Sequence, residues 1–171
     1  VVSIAKELVE AGKKFHITMI GDGELRPLVE QDIEKAGLQD YITLVGYKKP
    51  HQVREAMEKA GIFLMTSNRI EGWGAVLNEA MNSGCAEVAN SEVGAVPFLI
   101  KHKQNGLIYK EGSYEDFLQQ VLRLFEEKEL IPKYGKAAYD TILTEWNAEH
   151  AASELLRFYE NWKCGRTELP D

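Results

Sequence analysis

The stretch FHITMIGDGEL at residues 15–25 decides the fold class. Its first half, Phe15 to Ile20, is apolar enough for a short buried strand, and the turn at 21–23 leads into a polar, helix-like segment that ends near Gly37. The same order recurs along the chain, with strands predicted at 41–45, 62–66, 85–89 and 106–109 and helices from about 51, 75 and 96. This alternation predicts an α/β fold, a doubly wound parallel sheet with helices on both faces.

Beyond Gly112 the strand patterns stop. Helices are predicted at 114–128, 131–144 and 148–162, and no Pro-, Gly- or Ser-rich linker divides the chain. We therefore expect residues 1–171 to form a single Rossmann-like domain. The first residues already have helical spacing, without an initiator Met or a preceding strand, so we expect a fragment that lacks the first strand of this domain.

Composition excludes several classes of protein. Apolar residues make up 44% of the 171 residues and charged residues 27%, which is ordinary for a globular domain and unlike a disordered, collagenous or coiled-coil chain. The formal charge of -7 argues against a nucleic-acid-binding surface, because phosphate contacts need clustered Lys and Arg. No apolar run could span a membrane and no signal peptide is visible, so a cytoplasmic protein is expected. The His and Cys residues are dispersed, and no metal site is predicted.

The loop SNRIEGWG at residues 67–74 holds the richest set of candidate ligand-binding groups. Ligands of open parallel sheets bind beyond the carboxyl ends of the strands, and this loop joins such an end to the helix that starts near Ala75. Its glycines let the backbone approach a ligand, and N–H groups at a helix start favour an anion such as phosphate. Glu71 and Glu79 can share one side of that helix, and carboxylates accept hydrogen bonds from sugar hydroxyls. Spacing alone leaves open a simpler interpretation, in which Glu71 is a charge favoured by the helix dipole and Glu79 is a solvated residue.

An ordered set of motifs makes the sequence resemble a known family. In chain order they are IGDGEL (20–25), VGY (45–47), TS (66–67) with EGWG (71–74), NEAM (78–81) with Gly84, GAVP (94–97) and NGLI (105–108). The set resembles the C-terminal, donor-binding domain of the retaining glycosyltransferases with the GT-B fold, a large family that includes many polysaccharide-building enzymes. The family's hallmark, two glutamates separated by seven residues, is matched by Glu71 and Glu79.

The resemblance implies a role for each matching residue. Glu71 would be the catalytic residue beside the transferred sugar, and Glu79 would bind the ribose of a nucleoside-diphosphate sugar. The other donor contacts would come from Gly72, Trp73, Gly74, Ala75 and Val76 around sugar and phosphate, from Gly46 and Tyr47 at the base, and from Gly21 and Gly23 at the pocket floor. Such enzymes transfer with retention and need no metal or other cofactor, because positive side chains and helix amides stabilise the departing diphosphate.

The sequence departs from the family pattern at three points. Phe98 stands where many members have a glutamate, so no catalytic role is assigned to it. Glu87 falls in a strand expected to be buried, which predicts either a wet strand end or a partner charge, because an unpaired buried carboxylate is costly. In the family, the basic residues that grip the diphosphate, and the acceptor site, lie outside the part matched here. The isolated chain is therefore expected to be inactive.

Partners are expected on the same grounds. They are the nucleotide-sugar donor and the N-terminal domain of the same protein. A peripheral membrane contact is expected only through that domain. Apolar residues near the end of the chain are expected in the core or against that domain, or in a weak dimer of the fragment; they are Trp146, Leu155, Leu156 and Tyr159. Trp73 is expected to pack rather than to stack on a sugar.

By analogy with family members, we expect a transferase of surface or capsular polysaccharide synthesis. Two alternative functions stay open. One is a non-catalytic nucleotide- or sugar-binding module, since a fold does not fix a function. The other is a dinucleotide-dependent oxidoreductase. It fits poorly, because GDGELR at 21–26 lacks the last glycine of GxGxxG.

Overall fold

The structure, a computed structural model, describes residues 1–165. The last six residues of the predicted domain lie outside this range. The helices are α1 (Val2–Glu10), α2 (Arg26–Lys35), α3 (Pro50–Lys59), α4 (Ala75–Asn82), α5 (Val96–Leu99), α6 (Tyr114–Glu126), α7 (Leu130–Thr144) and α8 (Ala148–Lys163). The strands are β1 (Ile17–Ile20), β2 (Ile42–Gly46), β3 (Ile62–Met65), β4 (Ala86–Asn90) and β5 (Leu107–Tyr109).

All strand pairs are parallel, and they form two hydrogen-bonded groups. Strand β1 pairs with β2, with Ile17 opposite Ile42. The second group has the order β3-β4-β5, with Val88 opposite Leu64 on one side and Leu107 on the other. The predicted α/β class with parallel strands and helices on both sides is confirmed. The division of the strands into a two-stranded and a three-stranded sheet was not predicted.

Local signals explain where the helices begin. Pro50 opens α3, where the missing N–H costs no hydrogen bond. The hydroxyl of Ser113 accepts a hydrogen bond from the Asp116 N–H at the start of α6, and the side chain of Asn147 does the same for the His150 N–H at the start of α8. Each cap satisfies a backbone donor that has no partner within its helix.

The core lies mainly against the three-stranded sheet. On one face α1, α6 and α7 bury a cluster that includes Ile4, Val88, Leu107, Leu124 and Tyr134. On the other face α4, α5 and α7 bury a second cluster, which includes Met65, Leu77, Met81, Val96 and Leu99. The two-stranded sheet has a smaller cluster of four buried residues, Ala5, Ile33, Leu38 and Ile42. Helix α1 therefore packs against both sheets, through Ile4 on one and Ala5 on the other.

The structure corrects the expectation for Glu87. This side chain is fully buried in β4, and neither carboxylate oxygen has a hydrogen-bond partner within residues 1–165. Both predicted explanations, a wet strand end and a partner charge, are wrong, because β4 is the central strand and both of its faces are covered. Burial raises the pKa of Glu87 well above its usual value, which favours the neutral, protonated carboxyl.

The end of the chain also differs from one expectation. No residue of α8 is buried, so Leu155, Leu156 and Tyr159 are not part of this core. The physical reason is that α8 leaves the body of the domain after α7. Contact of these residues with another domain stays a prediction. Within residues 1–165, no helix is long and apolar enough to cross a membrane.

Candidate functional site

The carboxyl ends of the parallel strands meet along one edge, where the loop after β3 borders an open cavity of about 390 Å³. The residues that line this cavity are Thr66, Ser67, Asn68, Ile70 and Glu71. The Asn68 carboxamide oxygen accepts from the Ile70 N–H at 3.0 Å, and the Asn68 carbonyl accepts from the Glu71 N–H at 2.9 Å. These two bonds form a compact turn that presents the side chain of Glu71 to the cavity.

Gly74 determines how the loop enters α4. Its φ of 82° lies in the left-handed region, which side-chain-bearing residues rarely adopt. A Cβ atom there would also lie 2.9 Å from the side chains of Met65 and Val93. The first N–H groups of α4, those of Ala75 and Val76, have no carbonyl within the helix to bind, so the helix begins with open donors at this edge.

The same loop is held against the loop after β4. A Cβ atom on Gly94 would overlap the Gly72 carbonyl, so the two backbones are in direct contact. The Trp73 carbonyl accepts a hydrogen bond from the Ala95 N–H at 2.9 Å. The segment from Gly72 to Gly74 is therefore a fixed part of the sheet edge.

The two predicted glutamates lie on either side of the start of α4. Glu71 precedes it in the loop, and Glu79 lies just over one helical turn inside it; both are exposed. Within residues 1–165 neither forms an ion pair. Both carboxylates are thus free to accept hydrogen bonds from a ligand.

The remaining predicted residues lie at the end of the two-stranded sheet. The Gly21 N–H donates to the Gly46 carbonyl at 3.0 Å, which joins the loops after β1 and β2. The side chain of Tyr47 is 78% exposed. Gly23 N–H donates to the Asp22 carboxylate at 2.9 Å. No described residue forms a hydrogen bond between this pair of loops and Glu71 or Glu79.

Sequence reasoning missed Arg26, which links these loops. Its guanidinium donates to the Glu30 carboxylate at 2.8 Å and to the Leu44 carbonyl at 3.4 Å, and it lies 3.9 Å from the Asp22 carboxylate. The acidic residues four positions before and after Arg26 were the available signal, since such spacing pairs charges along a helix.

Comparison with known proteins decides the family. Residues 1–141 match the family described as "Glycosyl transferases group 1". The chain belongs to this family. The resemblance to GT-B glycosyltransferases seen in the sequence is thereby confirmed, and the group 1 family includes polysaccharide biosynthesis enzymes among the relatives of this chain.

One curated relative supports the same assignment, and two solved structures share the fold. The amylovoran biosynthesis glycosyltransferase AmsK of Erwinia amylovora is 30% identical over 164 residues, which are 93% of this chain and 40% of AmsK. A crystal structure of S. aureus TarM in complex with UDP and sugar ligands has a TM-score of 0.81 at 21% identity, with 92% of this chain and 31% of TarM covered. The C-terminal domain of a group 1 protein (LpcC) from Francisella tularensis has a TM-score of 0.74 at 24% identity, with 86% of this chain and 78% of that domain structure covered.

Proposed function

We propose that this chain is the donor-binding part of a retaining glycosyltransferase that uses a nucleoside-diphosphate sugar to build a surface or capsular polysaccharide. The observation that carries the proposal is the juxtaposition of two features in a group 1 chain. The glycine-capped start of α4, with its open N–H groups, comes three residues after Glu71, whose exposed side chain lines the cavity. A helix start suits a diphosphate, and the neighbouring carboxylate suits a sugar.

The diphosphate and the transferred sugar take the loop after β3. Backbone amides from Gly72 to Val76 hold them, because the first N–H groups of α4 have no carbonyl partner within the helix and carry the positive end of its dipole. Arg69 is the one basic side chain of the 67–74 loop, and it is exposed. Its positive charge adds to that of the helix start as the diphosphate leaves, so the transfer in this proposal needs no metal.

Glu71 is the catalytic residue of the proposal. Its carboxylate borders the same cavity as the hydroxyl of Ser67 and the carboxamide of Asn68. These groups hold sugar hydroxyls, and the negative charge of Glu71 stabilises the positive charge that develops at the anomeric carbon as the bond to the diphosphate breaks.

The nucleoside extends from this loop toward the two-stranded sheet. Glu79 binds the ribose hydroxyls from α4, Tyr47 and Gly46 border the base, and Gly21 and Gly23 form the floor. The exposed phenol ring of Tyr47 offers a face on which a base stacks.

The gap between the two sheets suggests how the domain is completed. Within residues 1–165, β1 and β3 each pair with a strand on one side only, and α1 packs against both sheets. A parallel strand between β1 and β3, joined to α1 by a right-handed crossover, would make one continuous sheet. We propose that this strand, the basic residues that grip the diphosphate, and the acceptor domain belong to the longer protein.

Calorimetry tests the proposal. UDP, GDP, ADP and their sugar conjugates are titrated into the native chain, the Glu79→Ala variant and a Glu55→Ala control, in which an exposed carboxylate is removed from α3. We expect one nucleoside diphosphate to bind the native chain more tightly than the others do, with or without EDTA. Its affinity should fall in the Glu79→Ala variant and stay unchanged in the Glu55→Ala control. Binding of none of them, in the chain and in the full-length protein alike, contradicts it and favours a degenerate module.

A further inference from the structure

Three aromatic side chains meet beside the loop that follows β3. Trp73 of that loop, Phe98 of α5 and Trp146 of the connection between α7 and α8 form what we call the aromatic platform. The ring centroids lie 5.7 Å apart for Trp73 and Phe98, 5.5 Å for Trp73 and Trp146, and 6.3 Å for Phe98 and Trp146. Each ring therefore contacts both of the others.

The platform is not a core cluster. Phe98 is 60% exposed, Trp73 40% and Trp146 38%. Exposed apolar clusters of this kind mark sites of interaction. The platform also lies at the ligand-binding edge of the sheet, since Trp73 is two residues from Glu71 and α5 follows the carboxyl end of β4.

The platform is held in place before any ligand arrives. The Trp73 indole N–H donates to the Asn78 carboxamide at 2.8 Å, and the Trp73 carbonyl accepts from the Ala95 N–H. These bonds satisfy the indole N–H and the carbonyl oxygen of Trp73 and leave its apolar ring surface for contact. A surface that is already ordered loses little entropy when it binds.

An ion pair adjoins two members of the platform in the sequence. Lys101, three residues after Phe98, forms an exposed ion pair of 3.4 Å with Glu145, the residue before Trp146. This pair supplies both hydrogen-bond donors and acceptors. An apolar surface with a few polar groups at its border fits a neutral ligand that carries hydroxyls, rather than an anion.

We propose that the aromatic platform is the part of the acceptor site that this domain contributes, opposite the acceptor domain, and that it binds the pyranose ring of the acceptor sugar through contact between the C–H face of the sugar and the faces of Phe98 and Trp146. Aromatic faces carry negative charge, which attracts the positively polarised C–H groups. The rings are inclined to each other by 31° to 64°, so they form a faceted surface that fits a puckered sugar better than a flat base. The inference rests on the proposed function, because an acceptor site is needed beside Glu71.

The three tryptophans of the chain allow a direct test by NMR. Trp73 and Trp146 belong to the platform, whereas Trp162 lies on α8 next to Tyr159. Methyl α-glucopyranoside, α-galactopyranoside and α-mannopyranoside are titrated into the ¹⁵N-labelled chain while the three indole N–H signals are followed. We expect saturable shifts of the Trp73 and Trp146 signals by at least one of these sugars, with the Trp162 signal unchanged.

Variants of Phe98 make the test specific. Phe98→Ala should weaken pyranoside binding about threefold to tenfold, the loss of one aromatic contact. Phe98→Glu, which introduces the residue that many family members have here, should do the same and serves if the alanine variant does not fold. Phe158→Ala removes an exposed phenylalanine from α8 and should change nothing.

Two results overturn the proposal. One is the absence of any saturable shift of the Trp73 and Trp146 signals by the three pyranosides; the other is a shift produced by uridine, adenosine or guanosine alone. UDP, GDP and ADP titrated into the same sample separate the two proposals. Nucleotide binding without pyranoside binding contradicts the platform only, whereas failure of all nucleotides contradicts the donor site itself.

Discussion

The loops after β1 and β3 share several features but differ in their surroundings. Both follow an apolar strand, contain two glycines and lead into a helix. In the loop after β3, a Cβ atom on Gly74 would press on two side chains, and the backbone of Gly72 touches Gly94. In the loop after β1, a Cβ atom on Gly21 or Gly23 would have no neighbouring atom within 4 Å.

The sheets below the loops differ in the same way. All five residues of β4 are buried, whereas Thr18 of β1 is exposed and its other residues are half-buried. This difference shows that glycines occur near strand ends for different physical reasons. At Gly74 and Gly94 glycine permits close packing, at Gly21 it permits a φ of 135° in open space, and at Gly23 neither reason applies. Gly94 should therefore be sensitive to an added methyl group, and Gly23 should tolerate it.

Gly94→Ala should show the largest effect. The new methyl group overlaps the Gly72 carbonyl, so the two loops must separate, and we expect a loss of about 3 kcal/mol in the free energy of unfolding. Urea denaturation measures it. Gly23→Ala, in a loop with free space and without a positive φ, should change stability by less than about 0.5 kcal/mol. Equal losses in the two variants would remove the distinction between the loops.

Asn105→Ala tests the polar contacts of the buried half. The Asn105 carboxamide donates to the Leu99 carbonyl at 2.9 Å and to the Thr141 hydroxyl at 3.0 Å, and its oxygen accepts from the Lys101 N–H at 2.7 Å. Because the side chain is buried, its loss leaves unsatisfied partners and should cost about 2 kcal/mol.

His16→Ala is the matched variant in the two-stranded half. It removes the exposed 2.9 Å contact between His16 and Thr43. We expect a change below about 0.5 kcal/mol in the same urea experiment, since the exposed Thr43 hydroxyl binds water instead. A cost as large as that of Asn105→Ala would show that the two-stranded half is as tightly coupled as the other.

Glu87→Met should stabilise the protein, by about 1 kcal/mol near neutral pH, because it replaces a buried unpaired carboxyl with an apolar chain of similar length. The pKa of Glu87 is raised in the folded state, so above the unfolded-state pKa the native protein holds a proton that unfolding releases. The contribution of Glu87 to the free energy of unfolding is therefore fully present below the unfolded-state pKa. It falls as the pH rises toward the folded-state pKa. The advantage of the Met variant, measured by thermal unfolding, should therefore grow from pH 5 to pH 8. An advantage that is constant with pH would mean that Glu87 has a partner in solution.

Tyr47→Ala should have the smallest effect on stability. The side chain is largely exposed, so the free energy of unfolding should change by less than about 0.5 kcal/mol. Nucleotide affinity should nevertheless fall, because the proposed stacking surface for the base is lost. If calorimetry shows an unchanged nucleotide affinity in this variant, the two-stranded half is not part of the nucleoside site.

The sequence predicted the local features well and the long-range contacts poorly. Every predicted helix and strand is present, with ends shifted by at most two residues, because apolar runs, Gly turns and caps act over a few residues. Strand pairing is not a local property, so the two-sheet arrangement was missed.

The candidate site follows the same rule. The cavity loop and Glu71 were found because they form one continuous segment after a strand. The bond from Arg26 to the Leu44 carbonyl, the aromatic platform and the unpaired state of Glu87 were not found, since each depends on groups far apart in the chain. The assigned roles of Glu71 and Glu79 stay predictions.

Helix α1 has a consequence for how the domain unfolds. It supplies Ile4 to the core of one sheet and Ala5 to that of the other, so it connects two structural units that share no strand ladder within residues 1–165. Cooperativity between the units must pass through such shared packing. Weakening α1 should therefore separate one unfolding transition into two, with the β1–β2 unit opening first and its amide hydrogens exchanging earlier.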